Sequence, residues 1–437
     1  MLAPLVSIIL FLATGEVALR VIYRDGGQTT LGGPGGGPFH HLYVFGDRRG
    51  PLDDGPRRPG FSRLMILGDS VTWGQGVRDW WDLWPEQLEI KLEHEKQSTE
   101  VAVYALPGRN IPEHLQVLRD YVRTVGPDVL IYQWHPNDIE VVPDRPSTER
   151  PWQQWRFHES LKQSSYLYFF LDNRLAMFVP PQARTYVQYL VQDFAPGTYG
   201  WAEFERVFHS FATLSKQVVP RRMMLLYPQV PFKGVDPLKS IKDQMKQIAG
   251  PHTLALSPGT WVRRDGSRIK QAEASWGEVA RMSAGKPGIV LETREYYTGD
   301  GTLDFTVEVS SDGAGSPNIG ALEVVDAVTD QVVGRAPLGL VTGKAGWQRI
   351  PARLDVQGVA DHSVRFRVSS TGQVGFAVAT IDLSVDYGFE VVDLTDRLNT
   401  FDTHASIFDA HPNEHAHAVM AQVVFEALQR RPANSGK

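Results

Sequence analysis

Leu64-Met65-Ile66-Leu67-Gly68-Asp69-Ser70-Val71-Thr72 is the stretch that decides the fold. Four consecutive apolar residues read as a strand buried on both faces, the texture of a parallel sheet. Gly68 ends the run, and Ser70 follows at the carboxyl edge. Open α/β sheets bind their ligands at that edge. A serine hydroxyl placed there is a candidate nucleophile, provided that a base and donors for a developing oxyanion stand elsewhere in the chain.

Working outward, Leu106-Pro107-Gly108-Arg109-Asn110 follows the strand-like Val101-Ala102-Val103-Tyr104-Ala105, and His135-Pro136-Asn137-Asp138 follows the apolar run at 128–134. Between these runs, residues 84–95 place Trp84, Leu88 and Leu92 at helical spacing. A second amphipathic helix is expected over Ile111–Val125, closed by Gly126-Pro127. Two more strands are expected at 222–228 and 389–393. Strands alternating with helices specify a parallel α/β sheet. Near the C-terminus stands Phe408-Asp409-Ala410-His411-Pro412-Asn413, with Pro412 expected to open a helix whose Val419, Val423 and Leu428 face the sheet.

These blocks, in this order, resemble the SGNH (GDSL-type) hydrolase superfamily over residues 61–138, 222–230 and 389–430. The resemblance implies a flavodoxin-like, three-layer α/β/α hydrolase domain with five parallel strands. It further implies Ser70 as nucleophile, Asp409 and His411 as its partners, and an oxyanion hole formed by Ser70, Gly108 and Asn137. One departure stands out. The third block usually reads Gly-x-Asn-Asp, and here His135 occupies the glycine position.

The chemistry asks for these residue types. A serine hydroxyl needs a base within hydrogen-bond reach, and the base needs a partner that orients it. His411 can be the base and Asp409 its partner. The backbone N–H groups of Ser70 and Gly108 and the Asn137 amide can meet the tetrahedral oxygen. Asp69 suits a structural role in the turn. Trp73, His135 and His417 are candidate substrate-binding residues. His411-Pro412-Asn413-Glu414-His415 also matches a zinc-peptidase pattern, H-x-x-E-H. However, Pro412 interrupts the helix it needs, and Glu426 is the one acid downstream, so neither metal nor cofactor is expected.

The 437 residues suggest two or three domains. A net charge of −6 shows no basic excess, which argues against nucleic acid as a partner. With no cysteine there are no disulfides, no thiol catalysis and no cysteine-ligated zinc. Residues 1–25 begin with an apolar run interrupted at Glu16. It is expected to be a hydrophobic helix acting as a membrane anchor, holding a periplasmic or extracellular catalytic domain beside envelope polysaccharide machinery. Residues 26–60, rich in Gly and Pro, read as a tether.

The hydrolase domain is expected over 61–254 and 388–432. An aromatic-rich helical insertion over 139–200 packs on it or covers Ser70. Residues 255–387 change to short alternating runs separated by Gly- and Ser-rich turns, the pattern of an inserted all-β sandwich. Its closing run, 365–383, resembles galactose-binding-like, carbohydrate-binding sandwiches. Trp261, Trp276 and Trp347 are sugar-stacking candidates, although aromatic residues in a sandwich more often fill its core.

The resulting expectation is a membrane-tethered serine esterase that removes O-acyl groups, O-acetyl first among them, from an acylated carbohydrate. A polysaccharide O-acetyltransferase using the same triad and a non-catalytic glycan-binding scaffold are the alternatives. The sequence leaves hydrolysis and transfer both open, because the acceptor is set by how water is excluded.

Overall fold

Successive residues of a strand face opposite sides of its sheet, and β1 (Ser62–Gly68) uses both sides. Leu64 and Ile66 pack in one core with α3 (Trp84–His94) and α10 (Glu414–Gln429). Met65 and Leu67 pack in another with α4 (Ile111–Val125), α8 (Tyr199–Val218) and α9 (Lys239–Ile248). Two helix layers therefore enclose one sheet. In this computed structural model the described residues are 2–22, 58–75, 77, 79–141, 151–178, 186–228, 238–256, 258–262, 268–270, 280–282, 287–311, 318–340, 346–359, 362–398, 403–406 and 409–430. Most of the expected 26–60 tether lies outside them, as do parts of the 139–200 insertion.

The sheet is parallel throughout, in the order β5 (Glu390–Asp393), β4 (Arg221–Leu226), β3 (Val129–Trp134), β1, β2 (Thr99–Ala105). From β1 the chain steps outward to β2, then crosses back to β3 and continues the other way. The order therefore reverses between β1 and β3, and the loops beyond their carboxyl ends flank the crevice where such sheets hold ligands. Helix α4 has the expected bounds. Its apolar face of Ile111, Leu115, Leu118 and Val122 is buried, and Gly126 closes it at φ +55°. A left-handed residue at that position is best supplied by glycine.

Helices α5 (His158–Ser164), α6 (Tyr166–Phe178) and α7 (Tyr186–Asp193) fall within the aromatic-rich segment. The N-terminal helix α1 (Leu2–Ile22) packs on α6. Glu16 of α1 accepts hydrogen bonds from the N–H groups of Tyr166 (3.1 Å) and Leu167 (2.8 Å) and from the Ser165 hydroxyl (2.8 Å). Burial alone would raise this carboxyl. The N–H groups, Ser165 and Arg20 overcome that effect and hold it below its usual value. Among the described residues no helix is long and apolar enough to cross a membrane. The expected membrane anchor thus finds no support in α1, whose Glu16 is spent on the first turn of α6.

The described residues of 251–386 form two antiparallel sheets, of seven and five strands. Leu254, Phe305, Val307 and Ile381 from one meet Leu291, Val324 and Phe366 from the other in a common core. The first strand, Pro251–Ala255, starts ahead of the expected boundary at 255. It lies at the sheet edge, paired with Asp382–Asp386, and buries only Leu254, so it shows no alternation of buried residues. The chain enters and leaves this region at one place, where the N–H of Phe389 donates to the carbonyl of Ala249 (3.2 Å).

Contact with the α/β part runs along α8. The Tyr297 hydroxyl donates to Gln217 (2.8 Å), and Tyr297 and Tyr387 sit in the same core as Phe208. His209 of α8, fully buried, lies 3.0 Å through Nδ1 from the Tyr387 hydroxyl. Burial, and secondarily the nearby His252, lower its pKa from 6.5 to about 3. A base depressed in the folded state adds stability that is fully present above its unfolded pKa and is lost as pH falls toward the folded value. The stability advantage of the native chain over His209→Gln is therefore expected to shrink by roughly 2 kcal/mol between pH 7.5 and pH 5. Urea unfolding at several pH values measures it, and a pH-independent difference would contradict the neutral buried state.

Candidate active site

Ser70 is the first residue of α2 (Ser70–Trp73), a single turn that starts where β1 ends. Two glycines make the turn possible. A Cβ at Gly68 would meet the Thr72 hydroxyl at 2.2 Å, and Gly74 ends the turn at φ +86°. Asp69 caps it, with Oδ1 accepting the N–H of Val71 (2.9 Å). Ser70 is 7% exposed, and its Oγ lies 2.9 Å from Nε2 of His411. If the hydroxyl donates to Nε2, the single ring proton of the neutral imidazole resides on Nδ1.

His411 lies in a short strand, Asp409–Pro412, that pairs with His404–Ser406. Pro412 ends this strand, contrary to the expected helix start. Asn413 caps α10 instead, its side chain accepting the N–H of Ala416 (3.0 Å). Pro412's fixed φ suits the extended strand, and Asn is the stronger cap. The buried face of α10 is Ala416, His417, Met420, Ala421, Val424 and Ala427; Val419, Val423 and Leu428 are only partly buried. Asp409 stands two residues before His411 in the strand, and its side chain lies outside the described structure. His411 and His415 occupy different elements, so the continuous helix of a zinc-peptidase site does not form.

The loops after β2 and β3 meet beside this pair. Gly108 has φ +76°, a conformation that favours glycine, and a Cβ there would point into open space. Asn110 donates through Nδ2 to the carbonyl of Glu140 (3.0 Å), tying the two loops together. Asn137 lies in a 3₁₀ turn, Pro136–Ile139. Its Nδ2 faces the Arg109 carbonyl at 3.5 Å, and its Oδ1 lies 2.7 Å from His135 Nδ1. That same Nδ1 is 3.4 Å from Oδ2 of Asp69. His135 thereby links the residue before Ser70 to Asn137.

Under the turn lies a buried layer with no role expected from sequence. Asp138 Oδ2 accepts from the Tyr132 hydroxyl and the His135 N–H, both at 2.9 Å, while Oδ1 is 3.3 Å from Nε2 of His114. Burial, then the neighbouring Asp69, push the Asp138 carboxyl well above its usual range. Burial also lowers His114 to about 3. Both shifts run toward the uncharged forms. The signal for His114 was its position on the apolar face of α4. Gln133 was equally unforeseen. Its Oε1 accepts from the Thr72 hydroxyl (2.9 Å) and the Asp69 N–H (3.4 Å), bracing the Ser70 turn from β3.

Of the three candidate substrate-binding residues, Trp73 is half-buried and His135 is 19% exposed. His417 does not line a cleft. It is fully buried, and its Nδ1 accepts the N–H of Trp84 at the start of α3 (3.0 Å). That N–H is one of the donors a helix start leaves without an internal partner.

No family model matches the chain, and no curated protein does. Among solved structures it is similar, over 43% of its length, to TesA, with 13% identity, 73% of that chain covered and a TM-score of 0.27. It is similar over the same share to the psychrotrophic esterase EstA from Pseudoalteromonas sp., with 12% identity, 72% of that chain covered and a TM-score of 0.24. The acetylxylan esterase Axe2 from Geobacillus stearothermophilus shows 15% identity, 71% coverage of that chain and a TM-score of 0.25.

Proposed function

We propose that this chain is a serine esterase of the SGNH type, acting on O-acyl groups of a carbohydrate through an acyl-enzyme. The observation that carries the proposal is the 2.9 Å contact between Ser70 Oγ and His411 Nε2 at the carboxyl edge of the sheet. A serine so placed is poised to lose its proton to the imidazole as it attacks an ester carbonyl. The carbonyl oxygen becomes negative, and the N–H groups of Ser70 and Gly108 with the Asn137 amide are the donors assigned to it. His411 then returns the proton to the departing sugar oxygen. Water, activated by the same imidazole, releases the acid and restores Ser70. Asp409 is assigned the role of holding the His411 tautomer, which its position two residues away in the same strand supports.

A carbohydrate substrate is supported by the antiparallel sheets of residues 251–386, which we assign as an inserted sandwich domain. They present Trp347, 44% exposed, on an edge strand. Transfer of the acyl group to a sugar hydroxyl would use the same residues, with the sugar taking the place of water.

The test is turnover of p-nitrophenyl acetate and of an acetylated glycan by the full chain, comparing the native protein with Asn137→Ala. The native chain is expected to hydrolyse both. The variant is expected to lose about 10²–10³-fold in kcat with little change in KM, as removal of an oxyanion donor does. An inactive native chain would overturn the esterase assignment, and an unchanged variant would remove Asn137 from the site.

A further inference from the structure

We propose that His135 is a positioning residue that fixes which end of the Asn137 carboxamide is presented to the oxyanion. This rests on the esterase assignment above. The imidazole fills the space where the third block ordinarily has glycine. Its Nδ1 lies 2.7 Å from Asn137 Oδ1 and 3.4 Å from Asp69 Oδ2. The amide oxygen accepts hydrogen bonds and is the nearer of the two, so the tautomer that serves it carries its proton on Nδ1; Asp69 Oδ2, at 3.4 Å, is left without a hydrogen-bond partner among the described residues. His135 therefore donates to Asn137 Oδ1.

The opposite end of the amide fits the same arrangement. Asn137 Nδ2, a donor, faces the carbonyl oxygen of Arg109 at 3.5 Å. Turning the amide by 180° would set Oδ1 against that carbonyl and the NH₂ against a protonated nitrogen. Two attractive contacts would become two repulsive ones, so the imidazole holds the NH₂ on the side of the Gly108–Arg109 loop. The ring is itself held. The backbone N–H of His135 donates to Asp138 Oδ2 (2.9 Å), fixing the main chain that carries the ring, and the ring lies against Tyr227, with centroids 6.2 Å apart. Asp69, on its other side, caps the turn that carries Ser70. One side chain thus lies between the nucleophile turn and the oxyanion donor, and a donor fixed before reaction is what lowers the barrier.

Kinetics of His135→Ala and His135→Asn, alone and combined with Asn137→Ala, test the idea on the full chain. The asparagine side chain can place an N–H near the position of Nδ1, and the alanine cannot. His135→Ala is expected to lower kcat about 10- to 100-fold with KM nearly unchanged. His135→Asn should recover most of that loss. In the Asn137→Ala background, the His135→Ala change should have little further effect, because it acts through a side chain already absent. Full activity in His135→Ala would overturn the inference. So would an equal loss in both single variants, or losses that multiply in the double variant, since each would mean that the imidazole serves the fold or the substrate directly. None of these outcomes touches the Ser70 assignment, which fails only if the native chain does not turn over an ester through Ser70.

Discussion

Ser70→Ala is expected to lower ester turnover by about 10⁴–10⁶-fold, the range seen when a triad serine is removed. Its fold should be intact. The turn that holds position 70 is built by Asp69, Gly74 and the brace from Gln133, none of which depends on the Ser70 hydroxyl. The loss should therefore appear in kcat at a thermal midpoint close to that of the native chain. Turnover within 10-fold of native would move the nucleophile elsewhere.

His411→Ala should be nearly as severe, because a serine without its base is a poor nucleophile at neutral pH. The two residues act as one unit across 341 positions of sequence. Their double variant is thus expected to be no worse than either single variant. Multiplying losses would mean that His411 acts on the substrate independently of Ser70, for which its 2.9 Å contact with the hydroxyl gives no reason. Stability offers a second check. His411 is in a two-strand pair outside the main sheet, so truncating it should disturb the fold far less than truncating His417, which caps α3 from within the core.

Local pattern made the central layer legible. The apolar runs at 64–67 and 128–134 are buried on both faces and became β1 and β3, and the periodicity from Ile111 to Val125 ended at a glycine that adopts the left-handed conformation. Those signals depend only on near neighbours. What escaped depended on distant ones. His417 looked like a polar residue near a site, yet it receives an N–H from a residue 333 positions earlier. Pro412 looked like a helix opener, yet pairing with His404 keeps it extended. His114 and Asp138 gave no sequence sign of becoming a buried pair shifted toward the uncharged forms, because those shifts are set by what surrounds them. The odd residue at 135 was visible as a departure, and only its distances to Asp69 and Asn137 give that departure a role.

The central claim is that Ser70 is the nucleophile and that His411 activates it. Treating the full chain with a fluorophosphonate and mapping the adduct by peptide mass spectrometry tests it most directly. The expected result is one adduct, on Ser70, formed far more slowly in His411→Ala and absent in Ser70→Ala. An adduct on another residue, or undiminished labelling of Ser70 without His411, would contradict it.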